Sequence, residues 1–343
     1  MKGQGEMVAE IFMIHENPEW LPPFAAAFAD RNARFIDWNM AYKHLDLWQI
    51  PPEGVFYNRM SASSFTRDHD RVPELTSVTL AWLERHGRRV INGSRALQLE
   101  VNKGAQYAAL ESSGITVPRT LFGLGLPAII RLLDRFGDGP VILKPNRGGK
   151  GSGVFGFETT AAAVAAIKAG DIEPSIDGVT LIQSYIQSPR GIVTRAEFIG
   201  GKFHYAVEID ATKGFELCPS EVCQMPGKEA PPQFTIIDSI DTELQSGFEA
   251  FLETNDIDIA GIEFVTDASG NNYTYDVNTN TNYNPDAEKI AGRNAPAAVA
   301  QFLITERDRQ LSRAGTKASA RQRLVTSISA PALKAAEIGT PPL

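Results

Sequence analysis

The sequence predicts an α/β chain that becomes α+β in its later part. Three observations carry this. Short apolar runs alternate with helical stretches up to about residue 100, the pattern of a small open parallel sheet. Further on, two pairs of strand-like runs are each joined by a glycine turn, around Gly200–Gly201 and around Ser269–Gly270, which marks antiparallel hairpins. The chain has 343 residues, 43% hydrophobic and 22% charged, enough for two or three lobes of ordinary globular composition.

The elements follow in order. Val8–Ile14 reads as the first strand, the Ala/Phe-rich Pro22–Asp30 as a helix, Ala33–Trp38 as a second strand and the short apolar Gly54–Tyr57 as a third. Leu75–Gly87 is a helix ended by glycine and Arg89–Ile91 a strand, and this lobe closes near residue 100. Asn102–Ser113 is a helix stopped by Gly114, Val117–Phe122 is extended, Pro127–Phe136 is a helix and Val141–Lys144 a strand. After a glycine-rich stretch come Val154–Phe157 as a strand, Ala161–Ala169 as a helix and Thr180–Ile186 as a strand. Val193–Phe198 and Lys202–Ile209 form the first hairpin. Thr242–Glu253 is a helix with Leu244, Phe248, Phe251 and Leu252 as its apolar positions. Ala260–Thr266 and Asn272–Val277 form the second hairpin. After about Asp308 large apolar residues become scarce, which predicts an exposed helix and then a loose tail.

Charge and composition exclude some classes. A formal net charge of −8 argues against nucleic-acid or membrane-surface binding as the general role. No apolar run of membrane-spanning length is visible, and Met1–Glu6 is not followed by a signal-peptide core, so a cytoplasmic location is expected. Two cysteines, Cys218 and Cys223, cannot staple a chain of this size, and a zinc site would need further ligands where only His204 is near. Reduced thiols, at the edge of a substrate site or simply structural, are the expectation. The five histidines form no ligand spacing, and His69, between Asp68 and Asp70, reads as part of a solvated loop. Trp20, Trp38, Trp48 and Trp82 read as core or partly exposed packing of the first lobe.

The second hairpin holds the most informative residues. If it is symmetric about Ser269–Gly270, Glu263 lies directly across from Asp276, and the period-two alternation puts Asn278 on the same face. Like charges placed opposite each other on neighbouring strands repel. A hard divalent cation removes the conflict, and two carboxylates with an amide oxygen are a magnesium donor set. A solvent-exposed polar hairpin is the alternative.

The glycine-rich stretch is the second feature. Lys144-Pro-Asn-Arg147-Gly148-Gly149-Lys150-Gly151-Ser152-Gly153 combines backbone that can approach phosphates closely with three cations. It is not a Walker A loop. Gly151–Gly156 matches a dinucleotide fingerprint in spacing, but the following residues read as a strand, where that fingerprint opens a helix. A glycine hairpin lying over a nucleotide fits better, although no kinase His-Arg-Asp or Asp-Phe-Gly follows.

Taken in order, these pieces resemble the ATP-grasp superfamily, in particular the branch of ribosomal-protein glutamate ligases and glutathione-synthetase-like enzymes. The residues that carry the likeness are Asn102-Lys103, Val117–Thr120, Lys144-Pro145 with the glycine loop, Leu181–Ile186, Arg195, Gly261-Ile262-Glu263 and Asp276-Val277-Asn278. They span roughly residues 85–300. The resemblance implies an ATP-grasp fold: a pre-ATP-grasp lobe (1–100), a small subdomain with the glycine loop (101–187), a second subdomain with the metal site (188–308) and the tail (309–343). It implies that Lys103 and Lys144 contact ATP phosphates and that the loop from Arg147 through Gly148, Gly149, Lys150, Gly151, Ser152 and Gly153 covers them. It implies that the backbone of Gln183, Ser184, Tyr185 and Ile186 holds adenine. Arg195 would steady the transferred phosphoryl group, and Glu263, Asp276 and Asn278 would ligate Mg2+, with two ions expected and Mn2+ as a substitute. Asp276 stands where Glu is usual, Ser184 where an acid often precedes the hinge aromatic, and Glu208 and Asp210 where an arginine is common. The last departure points to an ammonium on the substrate.

The implied reaction is ATP-dependent ligation of a carboxylate to an amine through an acyl phosphate, the acceptor being an amino acid, a peptide or a small metabolite. Arg59 and Arg67, with Ser61 and Ser63, follow the strand Gly54–Tyr57 and are candidates for gripping a carboxylate; a solvated loop is the alternative. Asn280, on the asparagine run after the metal residues, is a further substrate candidate, against an asparagine-rich turn. Homodimers and tetramers occur among relatives, and the sequence fixes neither. A nucleotide-binding regulatory protein without ligase chemistry is the competing function, motivated by Asp276 and Ser184. A dinucleotide oxidoreductase rests on Gly151–Gly156 alone.

Overall fold

The computed structural model describes residues 9–149, 151–210 and 234–328, with side chains as far as 312. The predicted parallel sheet is present. Strands β1 (Glu10–His15), β2 (Ile36–Asn39), β3 (Gly54–Asn58) and β4 (Arg89–Ile91) lie in the order β2-β1-β3-β4, all pairs parallel. Helices α1 (Pro22–Ala29) and α2 (Val72–Arg85) cover opposite faces. Ile11, Met13, Val55 and Tyr57 point to the α1 side; Phe12, Ile14 and Phe56 point to Leu80 and Leu83 of α2. That is period two applied to strands buried on both faces, so they read as continuous apolar runs.

Two helices escaped the sequence reading. The first is α3 (Ser94–Glu100), directly before α4 (Lys103–Ser112), whose N-cap Asn102 accepts from Ala105 N at 3.0 Å. Tyr107 and Leu110 of α4 pack with Phe198, Ile262 and Val277 of the five-stranded sheet described below. A four-stranded antiparallel sheet follows, ordered β5-β8-β6-β7, from β5 (Thr120–Leu124), β6 (Val141–Pro145), β7 (Phe155–Phe157) and β8 (Val179–Ser184). Its buried face is closed by α5 (Leu126–Phe136) and α6 (Thr160–Ala169) through Ile129, Leu133, Ala163 and Ile167 against Leu143 and Ile182.

The third sheet is antiparallel, ordered β11-β10-β9-β12-β13, with β9 (Ile192–Ile199), β10 (Lys202–Asp210), β11 (Phe234–Ile237), β12 (Ile259–Thr266) and β13 (Asn272–Asn278). Gly200 and Gly201 at the β9–β10 turn both take positive φ, 63° and 69°, the left-handed pair that a two-residue hairpin turn requires. Helix α7 (Thr242–Thr254) buries Phe248, Phe251 and Leu252 against this sheet. The other overlooked helix is the short α8 (Pro285–Ala291), capped by Asn284.

Helix α9 (Ala295–Ile328) begins well before the composition shift at Asp308. Its first turns return to the N-terminal lobe, where Val299, Ala300 and Leu303 pack on α1 and the parallel sheet. Asn92 joins the sheets as well: its side chain donates to Ile259 O (2.7 Å) and Thr279 O (2.8 Å) and accepts from Asp258 N and Ile259 N. Arg89 adds ion pairs to Asp258 (2.6 Å) and Glu306 (2.8 Å). Trp48 departs from the packing expected of it and stands 97% exposed. Among the described residues no helix is long and apolar enough to cross a membrane. Cys218, Cys223 and the tail after 328 lie outside the described residues.

Candidate active site

A cleft of about 570 Å³ opens where the three sheets meet. The expected pairing holds: Glu263 is the register partner of Asp276. The route to it differs from the symmetric hairpin. Thr266 pairs Asn272, Val265 pairs Tyr273 and Phe264 pairs Thr274, which centres the turn on Ser269; a bulge at Tyr275 then restores Glu263 opposite Asp276. Bulges redirect side chains at the point where they occur. Here the bulged Tyr275 presents its carbonyl to Lys144 Nζ at 3.3 Å.

Glu263, Asp276 and Asn278 all line the cleft. Asn278 Nδ2 donates to Glu263 Oε1 (3.2 Å), and Lys103 Nζ reaches Asp276 Oδ1 at 2.6 Å. Burial raises the Glu263 pKa, with Arg195 pulling it back down. Two carboxylates and an amide, gathered from adjoining strands in a solvent-poor cleft, form an all-oxygen donor set suited to Mg2+. Lysine and arginine carry the countercharge in this structure.

Arg195 projects from β9 beside Glu263, its register partner on β12. Its Nε donates to Glu197 Oε1 (2.8 Å), Nη1 to Glu263 Oε1 (3.2 Å) and Nη2 to Thr281 Oγ1 (2.6 Å). Burial alone would lower its pKa, but Glu197 and Glu263 outweigh this and raise it. Glu197 escaped the sequence reading. Alternation along β9 places it on the Arg195 face, and burial pushes its pKa up to about 7. Gly261 was quoted for the resemblance without a role: a Cβ there would stand 2.4 Å from Arg195 Nε, so glycine makes room for the guanidinium.

Lys103 and Lys144 both line the cleft, each under a tenth exposed. Lys144 sits over the Tyr107 and Tyr275 rings. Burial, then the neighbouring Lys103 charge, pushes its pKa down to about 7. Asn146, just after the Lys144 strand, ties it to the Lys103 helix, since its Oδ1 accepts from Gly104 N (3.0 Å); its Nδ2 donates to Asp177, ahead of β8 (2.6 Å).

The glycine loop roofs the cleft. Gly148, Gly149, Gly151 and Ser152 line it; Gly153 and Arg147 are not lining residues, and Lys150 lies outside the described residues. Arg147 turns instead to Glu74 of α2 (2.9 Å). Gly149 lies close to Ser63, where an added Cβ would come within 3.1 Å of Ser63 Cβ. At the opposite side, Gln183, Ser184, Tyr185 and Ile186 line an end walled by Pro118, Ile142 and Val265. The Ser184 and Tyr185 amides are already bonded to Arg119 O (2.9 Å) and Pro140 O (3.1 Å), and the Gln183 side chain donates to Tyr107 Oη and Thr120 Oγ1.

The two arginines expected to grip a carboxylate are both engaged by partners inside the protein. Arg59 is fully buried and absent from the cleft wall. It donates to Trp20 O (3.3 Å), Thr281 O (3.0 Å) and Asn282 Oδ1 (2.9 Å), with its guanidinium 4.5 Å from the Phe24 ring centroid. Arg67 is held by the buried Glu16 at 3.1 and 2.5 Å. His69, expected in solvent, binds the same carboxylate at 2.9 Å. Ser61, Ser63 and Asn280 do line the cleft, joined by Trp20 and Glu100, for which the sequence offered no signal. Glu208 pairs with Arg190 (3.1 Å); Asp210, the last residue of β10, is not itself a lining residue, but its register partner on β9, Ile192, is.

Known structures share this architecture over nearly the whole chain. The ligase PsnB, solved with a phosphomimetic minimal precursor, Mg and ADP, superposes with a TM-score of 0.62 at 17% identity, covering 88% of this chain and 99% of that one. This is an ATP-grasp fold. A RimK domain ATP-grasp protein from Sphaerobacter thermophilus (TM-score 0.60, 18% identity, 86% and 100% covered) shares it. So does D-alanyl-alanine synthetase A from Vibrio cholerae (0.59, 15%, 90% and 100%). Sequence relatives include probable alpha-L-glutamate ligases of Hydrogenovibrio crunogenus, 28% identical over 138 residues, and Aliivibrio salmonicida, 30% identical over 124 residues. The matched segments take up 40% and 36% of this chain, and the chain spans less than half of each relative, 45% and 40%. No family model matches the chain.

Proposed function

We propose that this ATP-grasp chain is an ATP- and Mg2+-dependent carboxylate–amine ligase. One observation carries the reading: Lys103, Lys144, Arg195, Glu263, Asp276 and Asn278, scattered over 176 positions of sequence between the first and the last, line one cleft beneath the glycine loop. A substrate carboxylate oxygen attacks the γ-phosphorus of ATP, ADP leaves, and an acyl phosphate forms. An amine nitrogen then attacks the acyl carbon, phosphate leaves with the bonding pair, and the nitrogen gives up a proton.

The chain's own part is positioning and charge. Lys103 and Lys144 would bind the phosphates. Arg195, braced by Glu197 and Thr281, would face the oxygens that gain charge in transfer. The glycine roof would keep water from the acyl phosphate. Glu263, Asp276 and Asn278 would hold magnesium, which when bound neutralises phosphate charge. Adenine would occupy the end walled by Pro118, Ile142 and Val265. Because the Ser184 and Tyr185 amides are spent, carbonyl oxygens of this segment or Ile186 would meet the ring edge. Two metal ions with Mn2+ as a substitute, an acceptor among amino acids, peptides or small metabolites, a cytoplasmic location and a dimeric or tetrameric assembly belong to the same proposal.

The test is ADP release across paired carboxylates and amines, with the product confirmed by mass. Substrate-dependent ADP release that Asp276→Ala abolishes supports the reading. Nucleotide binding with no ADP formed across the panel favours a non-catalytic nucleotide sensor.

A further inference from the structure

A guanidinium carries five N–H groups in one plane, and it stabilises a phosphoryl group in transfer only if that plane is held in place. At Arg195 the groups that hold it can be named. Nε and Nη2 lie along the side edge of the guanidinium. Nε donates to Glu197 Oε1 (2.8 Å) and Nη2 to Thr281 Oγ1 (2.6 Å). The Thr281 hydroxyl in turn donates to Glu197 Oε2 (2.8 Å), which closes a ring of three residues. All three are buried, Glu197 at 1% and Thr281 at 0% exposure. Arg195 lines the cleft, whereas Glu197 and Thr281 are not lining residues.

The ring can form in one direction only. Above about pH 7 Glu197 is a carboxylate and accepts, while a guanidinium only donates. The single Thr281 proton therefore goes to Glu197, and the Thr281 oxygen takes the Arg195 N–H. Gly261 forms the floor beneath this edge, since a Cβ there would stand 2.4 Å from Nε and 2.7 Å from Nη2. The segment carrying Thr281 is fixed independently of Arg195. Arg59 Nη2 donates to Thr281 O (3.0 Å), Thr279 N donates to Glu100 Oε2 (2.7 Å) and Asn92 Nδ2 donates to Thr279 O (2.8 Å), so the anchorage rests on no single bond.

The remaining contact of Arg195 is of another kind. Nη1 donates to Glu263 Oε1 at 3.2 Å. Glu263 is also the carboxylate placed with Asp276 and Asn278 to hold a metal. Arg195 thus has one contact that metal binding would remove and two that it would leave. Without Glu263, the end edge of the guanidinium, with an N–H on each Nη, suits two oxygens of one anion. Resting on the ligase reading above, we propose that Thr281 and Glu197 are positioning residues for phosphoryl transfer. Together they grip Arg195 by its side edge, so that its end edge keeps its place beside the transferred group once Glu263 has turned to the metal. A valine of the same shape as Thr281 would leave Arg195 Nη2 and Glu197 Oε2 without their partner.

The probe is ADP with aluminium fluoride and Mg2+, a mimic of the phosphoryl group in transfer with water in the attacking position, set against ADP and Mg2+ alone. Calorimetry above pH 7 gives both dissociation constants. Their ratio is the readout, and it requires no knowledge of the carboxylate or the amine. In the unmodified chain, aluminium fluoride should tighten ADP by at least about 100-fold. Thr281→Val should shrink that advantage by at least about tenfold while ADP alone stays within about twofold, and Thr281→Ser should keep it within about threefold. Glu197→Gln should behave like Thr281→Val, because its amide oxygen can accept from Nε but its NH2 cannot take the hydroxyl proton. An unchanged advantage in Thr281→Val and Glu197→Gln overturns the proposal. So does a loss in Thr281→Ser as large as in Thr281→Val, or a weakening of ADP alone by the same factor, which marks a merely structural role. An unmodified chain that binds ADP with no gain from aluminium fluoride also overturns it and leaves the ligase reading standing. An unmodified chain that binds neither ADP nor AMPPNP with Mg2+ overturns the ligase reading itself.

Discussion

The two ends of the cleft use charge in opposite ways. At the phosphate end, Lys103 with Asp276, Arg195 with Glu263, and Lys144 on the Tyr275 carbonyl all stay on the cleft wall. At the N-terminal end, Arg59, Arg67 and Glu16 are just as charged but have turned inward. Arg59 joins the loop after β3 to the chain after β13, and Glu16 joins β1 to Arg67 and His69. The first arrangement lets a polyanion with its cation exchange with internal pairs. The second holds lobes together and leaves hydroxyls and amides to meet a ligand. The difference lies in where the paired charges point, since both ends hold buried ion pairs and only those of the phosphate end line the cleft.

The contrast can be broken by substitution. Lys144→Ala should cost the most for activity, about 3–4 kcal/mol of transition-state stabilisation or 10²–10³ in kcat, with a small change in melting temperature. Arg59→Met should do the reverse. Stranding Trp20 O and Thr281 O should cost about 2–3 kcal/mol of stability, read by urea denaturation, while AMPPNP affinity holds within about twofold.

Gly261→Ala probes the phosphate end more finely. Its Cβ would displace Arg195, for about 1–2 kcal/mol of overpacking and a drop of about tenfold in kcat. The pH dependence should follow Lys144. Its pKa in the free chain is about 7, and a bound phosphate raises it, so nucleotide binding takes up a proton above that pH. AMPPNP affinity should be flat below pH 7 and fall by up to about 1.4 kcal/mol per unit above it, checked by calorimetry in buffers of different ionisation enthalpy. In the free chain the same lysine makes stability rise from about pH 7 toward its ordinary value of 10.5, because the unfolded state then binds more protons. Glu74→Gln should matter least. The Arg147–Glu74 pair that ties the roof to α2 is half exposed on the acid's side, and its loss should change stability by less than about 0.5 kcal/mol.

Much of this was legible in the sequence, for identifiable reasons. Alternation and turn chemistry are local, so the parallel lobe, both hairpins and the Glu263–Asp276 pairing were readable. The bulge at Tyr275 was not, because it depends on how β13 meets α4 and Lys144 rather than on any turn signal. Glu197 was within reach, two residues from Arg195 on the same strand. The internal partners of Arg59 and Arg67 were not legible, because Thr281 and Glu16 lie 222 and 51 positions away and sequence spacing carries no information about such pairing. Helix α9 was placed too late because Val299, Ala300 and Leu303 in its first turns pack on α1 and the parallel sheet, a contact so distant in sequence that composition does not show it.

The most direct test is anomalous diffraction from crystals grown with Mn2+ and AMPPNP. The account predicts a manganese peak within about 2.3 Å of oxygens from Glu263, Asp276 and Asn278, with Lys103 and Lys144 on the phosphates. A nucleotide bound with its metal elsewhere, or Asp276 and Glu263 still paired to Lys103 and Arg195 beside it, would contradict the account.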